Sequence, residues 1–257
     1  MTRTALIGHT GFVGSNLARA ASFDAGFNST TIDTIRGQHF DLAICAGVSA
    51  VKWQANKNPD ADRAGIARLT SALAEADIAE LVLISTIDVY PDPASGADEA
   101  TPINPAANHP YGRHRREFEL WCQDHFPKVR IIRLPALFGP GLRKNALYDL
   151  LHGHMLANIN PAGVFQWYPL ERLHSDIATA RAAGLGVVNL FPEPLAMSRI
   201  IAAAFPAAPV GPPTQPAPRY DLHTRHGARF GGDNRYIMPA DAVLAALLRF
   251  VAAERAA

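Results

Sequence analysis

The sequence has no excess of either sign of charge, few cysteines and no long apolar run. Its 257 residues include 24 basic and 23 acidic side chains, a balance that argues against a nucleic-acid-binding or membrane-surface protein. The two cysteines, Cys45 and Cys122, fall in a predicted strand and a predicted helix, which favours buried thiols over a disulfide. No apolar run reaches the roughly 18 residues of a membrane span. We therefore predict no nucleic-acid partner and no membrane partner.

The ten histidines show no metal-binding pattern, because His152 and His154, and likewise His223 and His226, lack Cys or carboxylate neighbours at ligand spacing. We predict no metal site. The start of the chain is a predicted strand without the charged region and cleavage site of a secretory leader. We expect a soluble, cytoplasmic protein.

A glycine-rich turn near the start is the most informative stretch of the sequence. The apolar run Thr4-Ala5-Leu6-Ile7 is followed by Gly8-His9-Thr10-Gly11-Phe12-Val13-Gly14, and residues 15–21 are typical of a helix. Strand, glycine turn and helix begin a βαβ unit in which the free N–H groups of the helix face a diphosphate. The alternative is an ordinary glycine-rich turn at the edge of an α/β sheet.

The G-x-x-G-x-x-G spacing and Thr10-Gly11-Phe12-Val13-Gly14 resemble the extended short-chain dehydrogenase/reductase superfamily, in its NAD-dependent epimerase/dehydratase group. The resemblance spans about residues 4–195 and is densest up to residue 141. It implies a Rossmann-like, doubly wound, mostly parallel α/β sheet with an NAD(P)-binding domain over residues 1–141. Residues 142–257 would form a small C-terminal substrate lobe, interleaved with the last strands and helices of the same fold.

The residue after the second strand bears on the choice between NAD and NADP. In NAD-preferring folds an acid about 20 residues after the glycines holds the adenosine ribose. Asp33 takes that position if the second strand runs to Ile32, whereas Asn28 or Ser29 takes it if the strand ends near Phe27. Uncharged residues there, together with His9, would tolerate a 2′-phosphate and favour NADP(H).

Hydroxyl side chains end the predicted strand that starts at Leu81. Ser85 and Thr86 lie at its carboxyl end, where ligands bind in open α/β sheets, although such hydroxyls also cap strands. The stretch Ile84-Ser85-Thr86-Ile87-Asp88-Val89-Tyr90 resembles the family's S-S/T-x-x-V-Y element, in which Thr86 matches the catalytic Ser/Thr. Asp88 matches the second of two dehydratase acids, and Ile87 in place of the first argues against a dehydratase.

The helix that follows Pro110 carries the most diagnostic resemblance. Tyr111, Arg115, Phe118 and Cys122 recur on one helical face. Tyr111-Gly112-Arg113-His114-Arg115 resembles the family's Y-x-x-x-K motif with arginine in place of lysine. The resemblance implies that Arg115 lowers the pKa of the catalytic Tyr111 and contacts the cofactor. The alternative is a tyrosine that only packs.

Other candidate ligands lie elsewhere in the sequence. Ala46-Gly47 ends a predicted strand over Phe40–Gly47 and resembles the family's small-residue turn beside the cofactor. Lys52, in a predicted loop over residues 51–56, either binds a substrate phosphate or is a solvated lysine. Arg133, in the segment that resembles R-P-x-x-x-Y-G-P, and Arg225, in a basic cluster, are the other substrate candidates; a solvated basic edge is the alternative for that cluster.

The family resemblance implies a reductase or epimerase that uses NAD(P) and acts on a nucleotide-linked sugar or a related alcohol or carbonyl. Thr86, Tyr111, Arg115 and Asp88 form its predicted catalytic set, in a cleft between domain and lobe. The family resemblance also implies a homodimer. The alternative is a non-catalytic nucleotide-binding or scaffold protein whose catalytic helix has changed.

Overall fold

The structure is a computed structural model, which describes residues 2–256. In chain order, its strands are β1 Thr4–Ile7, β2 Ala25–Phe27, β3 His39–Phe40, β4 Leu42–Cys45, β5 Asp77–Ile78, β6 Leu81–Thr86, β7 Val129–Leu134, β8 Ala136–Phe138, β9 Val164–Phe165, β10 Trp167–Pro169, β11 Val187–Asn189 and β12 Leu195–Ala196. Its helices are α1 Phe12–Ala20, α2 Lys52–Lys57, α3 Pro59–Leu73, α4 Pro110–His125, α5 Ala146–His152, α6 Leu173–Ala182, α7 Met197–Ala204 and α8 Ala240–Ala256. Over the described range, every helix is too short or too polar to cross a bilayer.

A six-stranded sheet in the order β11-β7-β6-β4-β1-β2 organises the fold. β1 pairs in parallel with β2 on one side and with β4 on the other, and β4 pairs in parallel with β6. This confirms the predicted Rossmann-like, mostly parallel α/β sheet. The chain reverses its direction of travel across the sheet between β2 and β4, and ligands bind beyond the carboxyl ends of the strands at such a switch point.

Helices α3 and α4 pack against one face of this sheet. Leu69 and Leu73 of α3 and Phe118 and Cys122 of α4 belong to the buried cluster that covers the strands. The predicted face of α4 is confirmed, because Tyr111 and Arg115 are also buried. Burying this face places Tyr111, in the first turn of α4, near the carboxyl end of the sheet. Both cysteines are free and buried, as predicted.

Two segments differ from the sequence prediction. Residues 51–56 were predicted as a loop, but Lys52–Lys57 forms α2. Pro59 disfavours a helical conformation at Asn58, whose φ is −129°, and so separates α2 from α3. The single strand predicted over residues 40–47 is instead two strands, because β3 leaves the sheet to pair with β5 while β4 stays in it.

The chain divides into two compact units. The first contains the residues up to Pro91, Ala100–Arg133 and Leu173–Val188. The second contains Asp92–Glu99, Leu134–Arg172 and the residues from Asn189 onward. Within the second unit β8 pairs in parallel with β10, β9 pairs antiparallel with β12, and α8 packs on β10 and β12. The face of α8 that carries Val243, Leu247 and Val251 is buried.

Candidate active site

The glycine turn joins β1 to α1 and can be built only from glycine at its first and last positions. Gly8 has a φ of +84°, and a Cβ atom there would overlap the carbonyl oxygen of Ala46. A Cβ atom on Gly14 would overlap the carbonyl oxygen of Gly8. The first turn of α1 therefore lies directly against the strand ends at the switch point of the sheet.

The start of α1 offers hydrogen-bond donors to an anion. Gly11 caps the helix, and the first helical hydrogen bond runs from Ser15 N–H to Gly11 O at 2.8 Å. The amides of residues 12–14 precede that bond and form the positive end of the helix dipole. Beside them the His9 ring lies over Gly26, and within residues 2–256 its buried Nδ1 has no hydrogen-bond partner. A backbone cradle and an unpaired polar atom fit a bound dinucleotide.

The end of β2 determines which side chain follows the strand. β2 ends at Phe27, so Asn28 and Ser29 come next. The Asn28 side-chain oxygen accepts hydrogen bonds from Thr30 N–H at 2.9 Å and Thr31 N–H at 3.1 Å. Asp33 instead lies in a 3₁₀ helix and binds Arg68, whose hydrogen bond lowers the pKa of that carboxyl.

Thr86 and Tyr111 meet where β6 ends and α4 begins. The Thr86 hydroxyl is close enough to the Tyr111 phenol to lower its pKa, and it accepts a hydrogen bond from Asp88 N–H at 3.2 Å. The Tyr111 N–H donates to the Asn56 side chain at 2.9 Å, which ties α4 to α2. Gly112 allows close packing, because a Cβ atom there would overlap the carbonyl oxygen of Asp88. The sheet and two helices thus fix the phenol beside the threonine.

Arg115 lies one turn further along α4 and stacks on the tyrosine. Its guanidinium carbon lies 3.8 Å from the centroid of the Tyr111 ring. The guanidinium also binds Asp62 of α3, with Nη1 at 2.5 Å from Oδ2 and Nη2 at 2.8 Å from Oδ1. Asp62 accepts a further contact from His114 Nδ1 at 2.8 Å. Arginine here is therefore paired with a buried acid that the sequence analysis did not single out.

Arg115 lowers the pKa of Tyr111, as predicted, but the net shift of that pKa is upward. Burial raises the pKa of the phenol, while the charge of Arg115 and the neighbouring Thr86 hydroxyl lower it. Burial outweighs them, and the pKa of Tyr111 lies above its ordinary value. The prediction considered only the nearby cation and not the loss of water around a side chain that is 7% exposed.

Comparison with known proteins identifies the family. The model of the NAD dependent epimerase/dehydratase family matches residues 27–167, more than half of the chain. The chain belongs to this family. The matched range contains Thr86, Tyr111 and Arg115, while the glycine turn lies before it. No curated protein matches the sequence.

Solved structures of low sequence identity share the fold of this epimerase/dehydratase family member. A UDP-N-acetylglucosamine 4-epimerase from Methanobrevibacter ruminantium is 12% identical, with a TM-score of 0.75 over 98% of this chain and 97% of that one. A dTDP-glucose 4,6-dehydratase from Streptomyces venezuelae is 18% identical, with a TM-score of 0.73 over 99% and 97%. A dTDP-4-dehydrorhamnose reductase from Bacillus anthracis, solved with NADP, is 19% identical, with a TM-score of 0.72 over 98% and 99%.

An ion pair lies beside the tyrosine of this family member. Lys52 Nζ of α2 lies 2.7 Å from Asp88 Oδ1, and both groups influence the pKa of Tyr111. The lysine side chain is 38% exposed and the aspartate 16%. The structure therefore brings the predicted substrate ligand Lys52 next to the predicted acid Asp88.

A buried polar network behind Ser85 was missed by the sequence analysis. The Ser85 hydroxyl donates to Glu119 Oε1 at 2.6 Å, and Glu119 is fully buried. Arg133, also buried, donates to Glu119 at 2.9 and 2.7 Å and to the Tyr90 hydroxyl at 2.8 Å. Arg133 was predicted to contact substrate, but these internal bonds engage all three of its nitrogens. In the sequence, only the position of Glu119, two helical turns after Tyr111, could have indicated this buried network.

Arg225 belongs to the second unit and is exposed. Its N–H donates to Glu99 Oε2 at 2.8 Å, while its Nε lies 4.0 Å from Asp98 Oδ2. In the same basic segment, Arg219 pairs with Asp221 at 2.9 Å. The acids in this unit thus offset part of the positive charge in the predicted basic cluster. In the part of the chain that the structure describes, no three His, Cys, Asp or Glu residues are grouped to hold a metal.

Proposed function

We propose that this chain is an NAD(P)-dependent reductase or epimerase that acts on a nucleotide-linked sugar or a related alcohol or carbonyl. The observation that carries the proposal is the buried Tyr111 phenol, beside the Thr86 hydroxyl and with the Arg115 cation on its ring. In this arrangement Tyr111 exchanges a proton with the substrate oxygen, and Thr86 holds that oxygen. The cation supports the tyrosinate form against the effect of burial.

The glycine turn fits the dinucleotide that such a reaction needs. The α1 amides, the turn Gly8-His9-Thr10-Gly11-Phe12-Val13-Gly14 and the small residues Ala46 and Gly47 would hold it, with Ser85, Tyr111 and Arg115 at its reactive end. When bound, NAD(P) supplies or accepts the hydride. The protein's own contribution is to bind, orient and exchange the proton.

We further propose a preference for NADP(H). Asn28 and Ser29 follow β2, and Asp33 is engaged by Arg68, so no carboxylate directly follows the strand. An acid there would bind the ribose of NAD and repel the 2′-phosphate of NADP. The uncharged Asn28 supports NADP(H).

Similar solved structures support the proposed substrate class. They include enzymes named for UDP-linked and dTDP-linked sugars. Lys52 and Arg225 stay candidate ligands for the substrate phosphates, whereas the internal bonds of Arg133 argue against such a role for it. Asp88, paired with Lys52, is the candidate second acid or base for an epimerisation. A homodimer and a cytoplasmic location stay predictions.

Two observations favour a second candidate, a non-catalytic nucleotide-binding protein. Arg115 is tied to Asp62 by two hydrogen bonds, and the pKa of Tyr111 is raised. Both observations are expected for a tyrosine that only packs in the protein and exchanges no proton with a substrate. The two candidates share the cofactor site and differ in turnover.

Nucleotide binding, which both candidates require, is tested first. The full-length protein is titrated with NADPH and then with NADH, and binding is monitored by the fluorescence of the reduced nicotinamide. The proposal expects micromolar dissociation constants, tighter for NADPH. The protein is then assayed with UDP- and dTDP-linked sugars beside its Tyr111→Phe variant. Turnover that Tyr111→Phe abolishes supports the enzyme, and binding without turnover supports the second candidate. Failure to bind either nucleotide contradicts both.

A further inference from the structure

Arg115 occupies the position that lysine holds in the Y-x-x-x-K motif, and its hydrogen-bond donors are almost fully used within the protein. Its Nη1 donates to Asp62 Oδ2 at 2.5 Å and to Tyr111 O at 3.3 Å. Its Nη2 donates to Asp62 Oδ1 at 2.8 Å and to Ser49 O at 2.5 Å. A guanidinium has five N–H donors, so these four bonds leave only the Nε–H. Among residues 2–256 the buried Nε has no partner.

Asp62 is placed to dictate this arrangement. Its side chain is 6% exposed, and both of its oxygens face the guanidinium in a fork-to-fork pair. His114 Nδ1, whose ring is equally buried, contacts the same Oδ2 at 2.8 Å and holds the carboxylate from a second side. Burial raises the pKa of Asp62, but the hydrogen bonds from Arg115 and His114 outweigh burial and leave that pKa below its ordinary value. The acid is therefore charged at neutral pH.

A lysine could not replace this contact. Its ammonium is a point charge that cannot present two fixed, parallel N–H donors to the two carboxylate oxygens. The guanidinium carbon lies over the Tyr111 ring, 3.8 Å from its centroid, while both Nη atoms bind Asp62. The two-point contact with Asp62 therefore explains why residue 115 is arginine and not lysine.

We propose that Asp62 is a positioning residue of the candidate active site, which locks the Arg115 guanidinium across the Tyr111 ring and leaves the Arg115 Nε–H as its free donor for a bound ligand. Asp62 acts through Arg115 and needs no contact with the ligand itself. The inference rests on the proposed function only where it concerns the bound dinucleotide. The contact that Asp62 makes with Arg115 and that holds Arg115 on the Tyr111 ring, here called the lock, is a property of the protein without ligand.

Nuclear magnetic resonance on the full-length protein labelled with ¹⁵N-arginine tests the lock directly. A proton held over an aromatic ring is shifted upfield, so the Arg115 Nε–H, identified by its loss in Arg115→Lys, should be upfield of the other arginines. In Asp62→Ala this shift should disappear. Asp60→Ala is the matched control, because Asp60 is an exposed acid in the same first turn of α3. It should leave the resonance in place.

Two results would overturn the proposal. One is a wild-type Arg115 Nε–H without a ring shift, and the other is a ring shift that persists in Asp62→Ala. If Asp62→Ala does not fold, Asp62→Asn, which matches aspartate in size, replaces it and should weaken the shift because its amide oxygen can bind only one side of the fork.

Addition of NADPH or NADH forms a separate arm of the experiment. A bound dinucleotide that accepts the free donor moves the Arg115 Nε–H resonance, and its affinity in Asp62→Ala should fall about tenfold, as for the loss of one hydrogen bond. Unchanged affinity in Asp62→Ala overturns the role of the lock in binding. If neither nucleotide binds the wild type while the ring shift depends on Asp62, the lock stands and the proposed function fails.

Discussion

The buried carboxylate of Glu119 gives a quantitative test of how the site is supported. Glu119 is fully buried and accepts hydrogen bonds from Ser85, from Arg116 and, in two places, from Arg133. The substitution Glu119→Gln keeps the size of the side chain and removes its charge. Arg133, which is 2% exposed, would then lack its countercharge in the interior.

The expected loss follows from the burial of both charges. Removing one partner of a buried ion pair costs about 3–5 kcal/mol, and glutamine keeps one accepting oxygen, so we expect about 3 kcal/mol. The entropy of unfolding is about 2.1 cal/mol/K per residue, or about 0.5 kcal/mol/K for the whole chain, so Tm should fall by about 6 °C.

Urea unfolding and calorimetry measure this change, and Glu117→Gln is the control. Glu117 lies on the same helix with a side chain that is 41% exposed, and its contact with Arg63 is 3.3 Å long. An exposed pair of this kind contributes less than about 1 kcal/mol. The reasoning is refuted if Glu119→Gln unfolds within about 0.5 kcal/mol of Glu117→Gln.

The pH dependence of stability provides a second readout of the same variant. Burial raises the pKa of Glu119, but Arg133, Ser85 and Arg116 outweigh burial and lower it. A carboxyl with a lowered pKa in the folded state stabilises the fold above its unfolded pKa of about 4.3 and loses that contribution as the pH falls through the folded value. The free energy of unfolding should therefore fall less steeply below about pH 4.3 in Glu119→Gln than in the wild type.

Three further substitutions and one control variant test the candidate site. Arg115→Lys should lower cofactor-dependent turnover by about tenfold or more, because lysine cannot bind both oxygens of its acidic partner; unchanged turnover in a steady-state assay would contradict this. Asn28→Asp should lower the preference for NADPH over NADH by about tenfold in the fluorescence titration, because the new carboxylate repels the 2′-phosphate of NADPH. The control Asp33→Asn should leave this preference unchanged. Gly14→Ala should abolish nucleotide binding and lower the free energy of unfolding in urea by about 2 kcal/mol, because the added Cβ overlaps a backbone oxygen. Wild-type binding and wild-type stability in this variant would contradict the proposed role of the glycine turn in binding the nucleotide.

Local sequence signals were sufficient to predict the glycine turn and the helix that carry the candidate site residues. The glycine spacing predicted the turn between β1 and α1, where the packing of Gly8 and Gly14 excludes any side chain. The helical period of Tyr111 and Arg115 predicted the buried face of α4. Such signals succeed because glycine conformation and helical period depend on residues close together in the chain.

The partners of the site residues could not be predicted in this way. Asp62 precedes Arg115 by 53 positions, and Arg133 follows Glu119 by 14. Ion pairs between elements depend on how those elements pack, and no local period encodes that. The same limit explains the pKa of Tyr111, since its burial arises from packing and not from the motif that contains it.

The contact between Arg115 and Asp62 changes how an altered motif should be interpreted. An unpaired charge in the interior is costly, so a buried arginine in place of lysine requires a buried acid of matching geometry. Replacing Arg115 alone would leave the Asp62 carboxylate with the contact to His114. Arginine and aspartate therefore constrain each other as one unit, and a variant of either residue reports on both. The departure from the motif at Arg115 cannot by itself indicate a lost site, because the structure provides the group that this departure requires.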